Sequence, residues 1–106
     1  MLILLLTDNL MTWGHLAPAL EAAGARVVTR PGEEEPDLVA VDLTASGAQK
    51  RIEEARAAWP SARILAFGPH VDGEAFAAAR RGGASEAVGR GRVLDRLLAL
   101  ARGGRP

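Results

Sequence analysis

The sequence predicts an α/β fold built on a parallel sheet, and three observations carry that reading. Short apolar runs without polar alternation recur (Leu2–Leu6, Leu38–Val41, Arg63–Phe67), stretches of helical spacing separate most of them, and Gly or Pro marks nearly every junction. Unalternated runs suit strands buried on both faces, as in a parallel sheet covered by helices. The chain has 106 residues, the size of one domain with one core. The element order reads β-α-β-β-α-β-α-β-α, and right-handed crossovers leave few ways to arrange it.

The first strand, Leu2 to Leu6, closes at Thr7-Asp8-Asn9. Leu10, Trp13, Leu16, Ala17, Leu20 and Ala23 then follow helical spacing up to Gly24, a common helix stop. Pro18 lies inside this stretch without an N–H for the carbonyl of Gly14, so the helix either kinks or starts late. Arg26 to Arg30 reads as a short strand, and Pro31 to Pro36 as an acidic, turn-rich link. Leu38 to Val41 is a buried strand ending at Asp42. Ser46 and Gln49 have capping-box spacing, which predicts Ser46 as the N-cap of a helix. That helix turns Ala48, Ile52, Ala55 and Trp59 inward and stops before Pro60. Arg63 to Phe67 is a strand ended by Gly68-Pro69. Asp72 is placed to cap a helix over Gly73 to Arg81, with Phe76 and Ala79 inward and Gly82-Gly83 as its stop. Ser85 to Val88 is a short last strand. Val93, Leu94, Leu97, Leu98 and Ala101 form the inward stripe of a final helix that leaves Leu100 off the stripe, and 102–106 reads as a frayed tail. Trp13 and Trp59 sit at core spacing; His15 is expected in solvent.

Composition narrows the function. Lys+Arg and Asp+Glu are both 13, giving no net charge, which argues against a nucleic-acid surface. There is no cysteine, so disulfides and thiolate metal sites are excluded. The run from Met1 to Leu6 is far short of a membrane span and has no basic segment before it, so a soluble, cytoplasmic protein without membrane contact is expected. Twelve of the 13 basic residues are arginine, a bias compatible with thermophily but a poor marker of it.

Several of these residues carry a family resemblance. Pro36-Asp37-Leu38-Val39-Ala40-Val41-Asp42-Leu43 resembles the third strand of response-regulator receiver (CheY-like) domains, whose final Asp accepts phosphate. Thr7-Asp8 falls where receivers carry an acidic pair, and Gly82-Gly83-Ala84-Ser85-Glu86 is similar to their approach to strand five. The stretch Phe67-Gly68-Pro69-His70-Val71-Asp72 is also similar to small receiver-like bacterial proteins. The resemblance covers nearly the whole chain and implies a flavodoxin-like three-layer fold with a five-stranded parallel sheet ordered 2-1-3-4-5. It also exposes departures. The switch Ser/Thr position is Gly68, the lysine position is Arg90 with Gly91 in place of proline, the switch aromatic is Ala87, and only Asp8 remains of the acidic pair. The second helix is missing, because the link of Pro31 to Pro36 is long enough only to cross nearly extended at about 3.3 Å per residue. An antiparallel pairing of the second and third strands is the alternative.

Ligands of an open parallel sheet bind at the carboxyl ends of its strands. Thr7, Asp8, Asp42, Gly68, His70, Asp72 and Arg90 form the candidate cluster there. The resemblance implies Asp42 as phospho-acceptor, with Asp8 and Asp42 as the remnant of a Mg²⁺ site, weak or absent. Arg90 is expected within ion-pair reach of Asp42. The leading expectation is a stand-alone, non-enzymatic pseudo-receiver that acts through protein contacts, as a homodimer or with another signalling protein. The alternatives are an active phospho-acceptor in a two-component pathway, and a small-ligand or enzyme site around His70, Asp72, Asp42 and Arg90. Asp72 also reads as a plain helix cap, and Asp42–Arg90 as an inert ion pair. The missing helix should leave apolar sheet surface uncovered, and such patches usually mark an interface.

Overall fold

The structure, a computed structural model, describes residues 1–69 and 72–103. Five parallel strands, β1 (Leu2–Leu6), β2 (Arg26–Val28), β3 (Leu38–Asp42), β4 (Arg63–Gly68) and β5 (Glu86–Gly89), stand in the order β2-β1-β3-β4-β5. Among the described residues four α-helices accompany them: α1 (Leu10–Ala22), α2 (Ala48–Ala58), α3 (Gly73–Arg81) and, after β5, α4 (Val93–Ala101), with a 3-10 turn over Arg90–Arg92. This is the three-layer flavodoxin-like arrangement. β2 pairs with β1 in parallel register (Ile3 beside Val27), which removes the antiparallel alternative.

The unalternated strands have the cause the sequence suggested: both faces are buried. Ile3, Leu5, Leu65 and Phe67 point toward Leu16, Leu20, Leu97 and Leu100 of α1 and α4. Leu4, Val39, Val41 and Ile64 point the other way, toward Ile52 and Ala79 of α2 and α3. Among the described residues no helix is long and apolar enough to cross a membrane.

Several local expectations need correcting. α1 runs unbroken through Pro18 from an N-cap at Asn9, whose side chain accepts from the N–H of Met11 at 2.8 Å. The helix therefore does not start late. Ser46 does not cap α2: Gly47 takes that place at φ 71° with no side-chain bond. A left-handed residue suits glycine. The Gln49 amide instead donates to the Ala78 carbonyl on α3, at 2.9 Å. β2 stops at Val28, and β5 is shifted by one residue to Glu86–Gly89. Leu100 is no surface residue: it is 5% exposed, and Val93, Leu97 and Leu100 form the buried line of α4. The i, i+4, i+7 spacing of these three allows that line as readily as the expected one.

The missing helix has a more limited effect than several bare strand residues. No helix lies between β2 and β3. Leu4 is nonetheless 1% exposed, and Leu6, Val28 and Trp59 are half-buried. What remains is a groove of about 520 Å³ between β1 and α2, walled by Thr29 and Pro31 on one side and by Ala58 and Trp59 on the other.

At the end opposite the candidate site, one guanidinium closes two connections, α2 to β4 and α3 to β5. Arg56 Nε donates to the Gly83 carbonyl at 3.0 Å, Nη1 to those of Pro60 and Ala62 at 2.9 and 2.8 Å, and Nη2 to Ser85 Oγ at 3.2 Å. Gly83 has φ 120°, and a Cβ there would stand 2.8 Å from the Cβ of Arg56. Arg56 thus serves carbonyls that the loops leave without backbone partners. Arg56→Met keeps the aliphatic stem and removes every donor. It is expected to lower unfolding free energy by about 2–3 kcal/mol in urea denaturation. A change within about 0.5 kcal/mol, the scale of an ordinary surface substitution, would show that water replaces the guanidinium freely.

Candidate functional site

Strand register builds the site. Leu6 pairs with Val41, so Thr7 follows beside Asp42, and Asp42 itself pairs with Phe67. Paired residues point to the same face of a sheet, so the Asp42 carboxylate and the Phe67 ring share the α1/α4 side. Gly68 pairs with Gly89, which places Arg90 one residue past β5, two strands and about 10 Å across from β3. Arg90 bridges that distance over Phe67, with its Cζ 5.8 Å from the ring centroid. That is cation–π range.

Asp42 is 1% exposed, the one buried charged residue among those described. Its Oδ1 accepts from the Thr44 N–H at 2.9 Å, the Thr44 hydroxyl at 2.7 Å and Arg90 Nη2 at 3.2 Å. Its Oδ2 accepts from the Thr7 hydroxyl at 2.8 Å. Burial is the largest single influence on this carboxyl and pushes its pKa up. The hydrogen bonds of Thr44 and Thr7 and the charge of Arg90 together outweigh it and hold the pKa below the ordinary value. Arg90 Nη1 also donates to the Thr12 hydroxyl of α1, at 3.1 Å. One side chain thus joins the β5–α4 junction, the end of β3 and the first turn of α1.

The other candidates divide. Asp8 accepts from the Ser46 N–H at 2.9 Å and stands 3.9 Å from Arg51, on the outer side of Asp42. Gly68 is buried under Leu43: a Cβ on Gly68 would lie 3.3 Å from the Leu43 Cβ, so leucine holds the space into which a serine or threonine there would project. Asp72 caps α3 through the N–H of Ala75 at 3.0 Å, with no hydrogen bond to Asp42 or Arg90 among the described residues. His70 lies outside the described residues. An open cleft of about 500 Å³ over Asp42 is bordered by Asp8, Thr44 and the first turn of α1, where Leu10 and Met11 are 85% and 84% exposed.

These donors suit a divalent cation poorly. Mg²⁺ takes near-octahedral oxygen ligands. Here both oxygens of Asp42 already accept hydrogen bonds, Thr7 stands where the resemblance calls for a second acid, and a guanidinium is in direct contact with the carboxylate.

Three participants escaped the sequence reading. Thr44 had a signal: an acceptor followed two residues later by a threonine is a local turn pattern. Thr12 and Phe67 had none, since they meet Arg90 only through tertiary structure.

No family model matches the sequence, and no curated protein matches it. Solved structures do. A response regulator from Burkholderia pseudomallei, crystallised with a phosphorylated aspartate, calcium and citrate, superposes with TM-score 0.78 at 24% identity, covering 92% of this chain and 64% of its own. The receiver domain of NtrX from Brucella abortus gives 0.79 at 21% identity, covering 94% of each chain. A response regulator from Thermotoga maritima gives 0.77 at 20% identity, covering 96% of this chain and 94% of its own. Longer NtrX structures match as well, and this chain spans 26% of their length. The chain therefore has the receiver fold of response regulators.

The Asp42 arrangement sets a pH dependence. A carboxyl whose folded pKa lies below its unfolded one stabilises fully above the unfolded value. That contribution is lost as pH falls from the ordinary value near 3.8 through the depressed one. Glu86, whose pKa is lowered chiefly by its hydrogen bond from Arg96, has the same sign. Asp42→Asn is expected to cost about 1–3 kcal/mol at pH 7 and to shrink the acid loss, the two curves converging once the carboxyl is protonated in the folded state as well. Urea midpoints across this range check it; parallel curves would assign the acid limb to Glu86 alone.

Proposed function

We propose that this is a signalling domain that works through protein–protein contacts in the cytoplasm, with Asp42 held in a standing ion pair in place of a phosphorylation switch. The observation that carries this reading is the contact of Arg90 with Asp42, backed by Thr7 and Thr44 on the same carboxylate. Phosphorylation would have to displace donors from a buried group. The positions at which the family resemblance places the moving parts support the same reading. Gly68 carries no hydroxyl and is overlain by Leu43, and Ala87 carries no ring. An element with two arrangements is what a switch needs, and neither side chain supplies one. The domain is not an enzyme on this reading, Mg²⁺ is bound weakly if at all, and zero net charge disfavours nucleic acid. Its partner is a second copy or another signalling protein.

The competing reading takes Asp42 as a phospho-acceptor, as the aspartate in the Burkholderia response regulator is. Calorimetric titration with Mg²⁺ and amide spectra with beryllofluoride separate the two. No submillimolar Mg²⁺ site and no shifts spreading through α3 and α4 are expected. The double variant Thr7→Asp, Arg90→Lys should gain Mg²⁺ affinity by about tenfold or more, because it adds an oxygen ligand and frees the carboxylate. A submillimolar site in the natural chain, abolished by Asp42→Asn, would overturn the standing-pair reading.

A further inference from the structure

The groove beside α2 takes no part in the hydrogen bonding of the Asp42 carboxylate. On the opposite face α1 packs against β2. On this face α2 packs on β3 and β4, and α3 on β4 and β5, so β1 and β2 have no helix of their own. Leu4 and Leu6 form the floor, and Ala55 and Ala58 offer a wall of small side chains along which another backbone can approach closely. From Arg51 to Trp59 the wall runs roughly 12 Å at 1.5 Å per residue, a little over two helical turns.

Charge narrows the occupant. Two charged residues line the groove. Arg51 lies 3.9 Å from Asp8, whereas Glu54 makes no ion pair among the described residues. The link that leaves the groove at Pro31 carries Glu33, Glu34 and Glu35 after Arg30. Glu34 holds Arg26 at 2.6 Å, while Glu33 and Glu35 pair with no cation, and Arg30 with no acid, among the described residues. Around the groove, unpaired acids (Glu33, Glu35 and Glu54) thus outnumber the unpaired cation Arg30, and the balance is acidic. A second copy with its two-fold axis through the groove fits badly, because that symmetry would set one concave groove against another and Glu54 against Glu54.

We infer that this groove receives an amphipathic helix from another protein, with an apolar stripe on Leu4, Leu6 and Trp59 and basic residues facing Glu54 and the acidic link. The inference rests on the proposed contact-based function but not on the Asp42–Arg90 pair, so the two fail separately.

The test uses the full chain with Trp13→Phe, so that Trp59 alone reports. The probe is a stapled helical peptide of about 15 residues with a leucine stripe flanked by lysines; the control has the same stripe flanked by glutamates. The lysine peptide should saturate with a blue shift of Trp59 emission and bind about tenfold more tightly than the control. Glu54→Lys should reverse that preference, and Ala58→Arg should abolish binding without moving the urea midpoint. Amide shifts of Ala55 to Trp59 in the unsubstituted chain give the same answer should Trp13→Phe disturb folding. No binding, or equal binding of both peptides, would overturn the inference. So would a concentration-dependent mass in light scattering that buries Trp59 without peptide, because a second copy would then be the occupant. Beryllofluoride in the same samples tests the Asp42 reading independently.

Discussion

A carboxylate with 1% exposure at the end of the central strand is the constraint around which the upper half of the molecule is organised. Burying an isolated charge costs several kcal/mol even after the protein relaxes, so Asp42 has to be paired and hydrogen-bonded. Its donors come from three places in the chain: Thr44 two residues on, Thr7 on the adjoining strand, and Arg90 beyond β5. Satisfying the carboxylate and closing this end of the sheet are therefore one event. The same donors that make the buried charge tolerable occupy the oxygens that a metal ion or phosphoryl group would need.

Arginine is the side chain that makes this economy work. A guanidinium presents five donors in a fixed plane, is always charged, and lies flat on an aromatic ring. Arg90 uses that plane to span from Thr12 to Asp42 across Phe67. Arg56 uses it at the opposite end to serve the carbonyls of Pro60, Ala62 and Gly83. Between them, Arg96 and Arg63 grip Glu86 and fasten α4 and β4 to β5. A lysine ammonium, a compact point charge on a flexible stem, could not hold several fixed partners with the same geometry. The arginine bias of the composition thus has structural work in this fold, whatever its origin in the genome.

Removal of one helix from the three-layer plan has effects that stay local. The link from β2 to β3 crosses without helix, β2 is three residues long, and Trp59 with Thr29 and Pro31 lines the groove over this part of the sheet. The core survives because the two central strands, β1 and β3, remain flanked by strands on both sides and covered on both faces over most of their length. Leu4 is buried even beside the groove. What stays open is an apolar groove over Leu4 and Leu6 of β1, walled by the end of β2 and by α2.

Signals confined to a few neighbouring residues were legible in the sequence. Unalternated apolar runs placed β1, β3 and β4, because a strand buried on both faces has no room for polar alternation. Asp72 was readable as a cap and Gly82-Gly83 as a stop for the same local reason. The short link showed that no helix could stand between β2 and β3. Tertiary structure decided what depends on the meeting of distant segments. Gly47 displaced Ser46 at the start of α2, and Gln49 went to α3. Leu100 turned inward because the position of α4 over the sheet, not its periodicity, selects the buried line. Thr12 and Phe67 joined Asp42 and Arg90 because strand register brings residues up to 78 positions apart into contact. Sequence spacing specifies which face a residue takes on its own element; only packing specifies what that face meets.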